Sequence, residues 1–119
     1  MVGWVVAAAI GAGVFVTLTV IDKFWNSIAG WLNNTAANAV EKVLGYKASQ
    51  NMKRAVGTIT KIRDKLNNNS IIYTKRDYFD TTIEKVTLTS SAPFYDQEQE
   101  VRELFEREQT QTQEFVYKG

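Results

Sequence analysis

The 119-residue chain contains neither cysteine nor histidine. It therefore has no thiol nucleophile, no imidazole base, no disulfide framework and no Cys/His zinc site, which removes most enzyme chemistries. The lack of cysteine suits any redox compartment. A glycine-rich phosphate loop, a nucleophile elbow and calcium-loop spacing are also missing. Two carboxylate groups remain, Asp77 with Asp80 and Glu98 with Glu100 and Glu103, and each sits among Lys or Arg or in a solvated acidic run. The expectation is a protein that is not an enzyme and uses no cofactor or metal.

Charge of either sign is absent from residues 1 to 21. The whole chain balances at +1, with 14 Lys plus Arg against 13 Asp plus Glu, but the balance is uneven. Residues 22 to 66 carry eight basic and three acidic side chains, and residues 91 to 119 carry three and seven.

What is present first is a run of twenty uncharged positions, Val2 to Ile21. As a helix it spans about 30 Å, the thickness of a bilayer core. A fully buried helix of a soluble domain is the competing reading, but little chain remains to wrap it. Trp4 and Trp25 are spaced to sit at the two interfaces, with Trp31 a further interfacial anchor. No basic segment precedes the run and no small-x-small site follows it, so a cleaved signal is disfavoured. Gly3, Ala7 and Gly11 on one helical face, with Ala9 and Gly13 beside them, would let a second helix pack closely. The cationic excess after the span places the carboxy-terminal side in the cytoplasm or its equivalent, across a cell or virion membrane.

From Phe24 to Leu44 the apolar positions recur at three and four, with Asn26, Asn33, Asn34, Asn38 and Glu41 opposite and Gly45 as a stop. Such a helix can lie in the headgroup region or form part of a core. Residues 47 to 66 repeat the pattern, with Met52, Ala55, Val56, Ile59, Ile62 and Leu66 on one side and a basic face of Lys47, Lys53, Arg54, Lys61, Arg63 and Lys65. That face suits an acidic protein partner or anionic lipid headgroups. Nucleic acid is a weaker fit, because no aromatic is interleaved with the cations.

Asn67 to Ser70 reads as a loop. Ile71 to Thr74 and Thr81 to Thr89 are rich in strand formers and make a candidate hairpin. After Pro93, Asp96 and Gln99 resemble a capping box opening an acidic helix, whose Val101, Leu104 and Phe105 form a narrow apolar seam. Gln109 to Gln113 reads as loose chain, and Phe115, Val116 and Tyr117 as a terminal hook.

The expected fold is mainly α with a small β-hairpin: an N-terminal transmembrane helix followed by amphipathic helices. Its parts are a transmembrane anchor (1–22), an amphipathic basic helical region (23–66), and a small hairpin with an acidic helix and tail (67–119). The expected function is that of a single-pass, membrane-anchored structural protein or scaffold. It would be an accessory subunit of a larger membrane-associated protein assembly, a virion membrane protein included, with the bilayer and other subunits, itself among them, as partners. The alternatives are a holin-like membrane-permeabilising protein and a basic membrane-tethered nucleic-acid-binding module.

Overall fold

A computed structural model describes residues 4–10, 18–75, 79 and 81–117. Its centre is an antiparallel sheet of five strands: β1 (Trp4–Ile10), β2 (Arg54–Ile62), β3 (Lys65–Thr74), β4 (Glu84–Pro93) and β5 (Thr110–Tyr117). Their spatial order is β1-β5-β2-β3-β4, so the last strand in the chain lies near the middle. The helices are α1 (Leu18–Trp31), α2 (Ala37–Leu44), α3 (Tyr46–Gln50) and α4 (Gln99–Arg107), with a π-helical turn, Leu32–Ala36, joining α1 to α2.

The fold is thus mixed α/β, and the expectation of a mainly α protein is corrected. The clearest departure is 47–66, where the basic amphipathic helix is replaced by α3, β2 and the start of β3. Met52, Ala55, Ile59 and Leu66 satisfy a helical period, but Ala55, Gly57 and Ile59 equally satisfy a period of two. The β-branched Val56, Thr58, Ile59, Thr60 and Ile62 favour the extended chain. Arg63 and Asp64 close the β2–β3 hairpin between the paired Ile62 and Lys65, with Arg63 at φ 57° in the left-handed region.

The apolar amino-terminal run is corrected too. Trp4–Ile10 pairs with β5, from Trp4 opposite Tyr117 to Ile10 opposite Thr112, and α1 begins at Leu18. Among the described residues no helix is long and apolar enough to cross a membrane. The single-pass localisation, its orientation and the transmembrane anchor go with that finding. An apolar run without charges is ambiguous between a spanning helix and a strand paired within a sheet, and β-branched Val5 and Val6 suit the second.

The helical reading of 24–44 agrees with the structure. Trp25, Ala29, Leu32, Ala36 and Val40 turn to the sheet and are buried, while Asn26, Asn34, Asn38 and Glu41 are exposed. Gly45 ends the helix at φ 103°, a conformation that L side chains rarely adopt. The acidic helix is present as α4, but its seam is deeper than its width suggests: Val101, Leu104 and Phe105 are all buried.

Among the described residues every helix lies on one side of the sheet. The inner face contributes Ala55 and Ile59 from β2, Leu66 and Ile72 from β3, Val86 from β4 and Phe115 from β5 to the core. Trp25 bridges the layers, its ring 5.1 Å from Phe24 and 6.0 Å from Phe115, and Phe24 meets Phe105 of α4 at 5.8 Å. Three polar side chains of β3 on this face are hydrogen-bonded, whereas Gln111 Nε2 and Gln113 Oε1 of β5 are buried without a partner among the described residues. Ser70 Oγ donates to Asn68 Oδ1 at 2.8 Å, Asn68 Nδ2 donates to Ser90 Oγ at 3.1 Å, and Thr74 Oγ1 donates to the Ala48 carbonyl at 2.6 Å.

Gly57 makes room for this layer. A Cβ there would stand 3.2 Å from Phe115 Cε2 and 3.4 Å from Ser70 Oγ. Gly57→Val adds two further methyl carbons to that space and is expected to cost about 1 to 3 kcal/mol by overpacking. Chemical denaturation measures it, and an unchanged midpoint would contradict the close approach.

Candidate protein-binding face

Among the described residues the second face of the sheet carries no helix. Strand alternation assigns to it Val56, Thr58 and Thr60 on β2, Asn67, Asn69 and Ile71 on β3, Thr87, Thr89 and Ser91 on β4, and Thr110 and Thr112 on β5. The register sets like against like. Thr58 lies opposite Thr112, with their hydroxyl oxygens 3.4 Å apart, and Thr60 lies opposite Thr110 at 3.3 Å. Asn69 stands between Thr58 and Thr89, and Asn67 between Thr60 and Ser91. Threonine serves both demands here, because its branched carbon suits the strand and its hydroxyl suits solvent.

This face holds a shallow cleft of about 500 Å³, whose walls include Val56, Thr60, Ile62, Asn67, Asn69 and Thr89. None of its lining side chains is ionisable. At one end stand Arg54, Tyr73 and Glu114. The Arg54 guanidinium lies 4.2 Å over the Tyr73 ring and 3.5 Å from the Glu114 carboxylate, and Lys85 Nζ is 5.6 Å from the same ring. The ion pair is partly exposed and contributes about 0 to 1 kcal/mol. The arrangement orients the cations more than it stabilises the sheet.

The residues singled out from sequence are dispersed. Lys47 lies on α3, Arg54 opens β2 and Lys53 immediately precedes it. Lys61, Arg63 and Lys65 surround the hairpin turn, about 27 Å away along nine residues of strand. These six residues do not share one helical face as the sequence spacing implied. Lys61 instead reaches over the Phe94 ring, with Nζ at 4.8 Å.

Trp25 is a core residue, not an interfacial anchor, and Trp31 packs partly buried against the same cluster. Trp4 lies on β1 opposite Tyr117. Ala7 and Ala9 lie on β1, where the register shifts between Val6 and Ala8, so the four-residue helical ridge is not formed by them. Gly3, Gly11 and Gly13 lie outside the described residues, as do Asp77 and Asp80. Glu98, Glu100 and Glu103 follow one another around the start of α4. Among the described residues no acidic cluster has the arrangement to hold a metal ion.

One sequence pattern that the motif reading passes over accompanies the open face. Thr58-Ile59-Thr60, Thr87-Leu88-Thr89 and Thr110-Gln111-Thr112 repeat the same hydroxyl alternation on three strands. Scans against family models and searches of curated proteins and of solved structures find no match to this chain.

Proposed function

We propose that the chain is a non-catalytic structural or accessory subunit of a larger protein assembly, and that other subunits engage the open sheet face. The observation that supports this reading is the pairing of a wholly neutral, hydroxyl- and amide-lined cleft with a helix layer confined to the opposite side. Neutral donors and acceptors interleaved with Val56, Ile62 and Ile71 match the mixed apolar and polar make-up of a non-obligate protein interface. They offer neither a general acid or base nor a counter-charge for phosphate.

The test places a photo-crosslinking amino acid at exposed Asn69 in the source cell, with exposed Asn34 on the helical side as the control. Cross-linking from Asn69 to one defined protein other than the chain itself, and none from Asn34, is the expected result. Equal labelling at both positions, or no protein adduct at Asn69, would sink the reading.

A further inference from the structure

β4 is one margin of the sheet, and its outer edge has no strand partner among the described residues. Which of its backbone groups face outward follows from two observations. The Phe94 N–H donates to the Asp64 carbonyl at 2.8 Å, extending the β3–β4 ladder by one pair. Hydrogen-bonded pairs recur every second residue, so Ala92, Ser90, Leu88 and Val86 turn their N–H and C=O groups to β3. Lys85, Thr87, Thr89 and Ser91 therefore turn theirs outward.

Exposed edges of native sheets are usually blunted by an inward charge, a bulge or a proline within the strand. Val86 to Ala92 has none of these: its sequence, VTLTSSA, is uncharged, and its pairing with β3 is regular throughout. Pro93 comes only at the end, on the outward-facing parity, where its missing N–H limits pairing to the residues before it.

We propose that this edge is a homodimerisation site, at which β4 of a second copy pairs antiparallel about a two-fold axis through Thr89 to make a ten-stranded sheet. The occupant is argued from the register. Centring on Thr89 places Thr87 to Ser91 in full pairing and leaves Lys85 opposite Pro93 at each end. The hydrogen-bonded pairs are then Thr89 with Thr89 and Thr87 with Ser91, hydroxyl residue against hydroxyl residue on the open face. On the helical side Val86 meets Ala92 and Leu88 meets Ser90. Two large apolar side chains flank the strand, both unusually exposed: Ile83 at 46% and Tyr95 at 68%. The same two-fold axis brings Ile83 of one copy to the end where Tyr95 of the other sits, at both ends of the pair. The hydroxyl row of the open face, the Val86–Ala92 pair and the flanking Ile83–Tyr95 pair match their own reversal, with Leu88 against Ser90 the one unlike pair on the helical side. This gives the strand the self-complementarity that an isologous interface requires. The proposal does not depend on the open-face reading, since it uses the edge and leaves the Thr58 and Asn69 region uncovered.

The experiment is sedimentation of the purified full-length chain with two probes. The wild-type chain is expected to sediment at about twice its 13.5 kDa. Thr89→Lys sets two cations against each other on the axis and is expected to reduce the chain to monomer while leaving its circular dichroism and melting cooperative. Because the chain has no cysteine, Thr89→Cys gives a single attachment point for a short bis-maleimide. It should cross-link the dimer at least tenfold more than Thr60→Cys. A monomeric wild-type chain overturns the proposal. So does a dimer that survives Thr89→Lys, or one that cross-links equally from Thr60→Cys, since either places the interface elsewhere.

Discussion

Phe115→Ala is expected to lower the free energy of unfolding by about 3 to 5 kcal/mol. The side chain is 0% exposed and lies on β5 between two neighbours, opposite Ala55 on β2 and Val6 on β1. Its ring packs 6.0 Å from Trp25 and lies over the space left by Gly57. Collapse into the cavity is restricted, because β5 is fixed by ladders on both sides and cannot move toward α1 without breaking one of them. Val116 is the control. It follows directly in sequence, projects to the other face and is 37% exposed, so Val116→Ala should cost no more than about 1 kcal/mol. Guanidinium denaturation of both variants measures the difference. Equal, small losses would mean that the carboxy-terminal strand is not part of the core.

The contrast between Phe115 and Val116 also marks where sequence reasoning stopped. Phe115 to Tyr117 was legible as apolar, but not as the inner face of a central strand, because its partners are β1 and β2, more than fifty residues away in sequence. The helix over 24–44 was legible since its period is local and its burial one-sided. Residues 54–62 were not. Their apolar spacing fits both periods, and the choice was made by pairing with β3 and β5, which is tertiary information. Asn67 to Asn69 shows the same effect more sharply. Asparagine favours turns when isolated, yet here Asn68 turns inward to bond Ser70 and Ser90 while Asn67 and Asn69 face the cleft. Strands were expected over Ile71 to Thr74 and Thr81 to Thr89, and they do pair, but β3 begins already at Lys65 and β4 runs from Glu84 to Pro93.

The candidate face was hidden for a related reason. Its members are Thr, Asn and Ser, residues that carry no chemical signature singly, and only the register aligns them across four strands. The basic residues gave the opposite error. Their signal was strong along the chain, and the hairpin then separated Lys53 and Arg54 from Lys61, Arg63 and Lys65. A helix would have stacked these cations on one side, whereas an extended strand spreads the same residues over more than twice the length.

Gln113→Pro is expected to cost about 3 kcal/mol or more and to abolish cooperative folding if the remaining stability is smaller than that. The segment from Gln109 to Gln113 has the composition of a loose linker, in which proline would be nearly silent. In the structure it enters β5, paired with β1 on one side and β2 on the other. The Lys61 N–H donates to the Gln109 carbonyl, and the Tyr117 N–H donates to the Lys53 carbonyl. Odd-numbered residues of β5 therefore face β2, and the register sets the Gln113 N–H against the Gly57 carbonyl. Proline removes that donor, leaves a carbonyl in the sheet interior without its partner, and drives its ring into the neighbouring strand. Gln113→Ala separates this backbone effect from loss of the side chain. The Oε1 atom is buried without a hydrogen-bond partner among the described residues, so deleting it should change stability by no more than about 1 kcal/mol. Thermal melts of the two variants read the comparison directly. A Gln113→Pro protein that melts like the wild type would place this segment outside the sheet and remove β5 as the strand that joins β1 to the rest of the molecule.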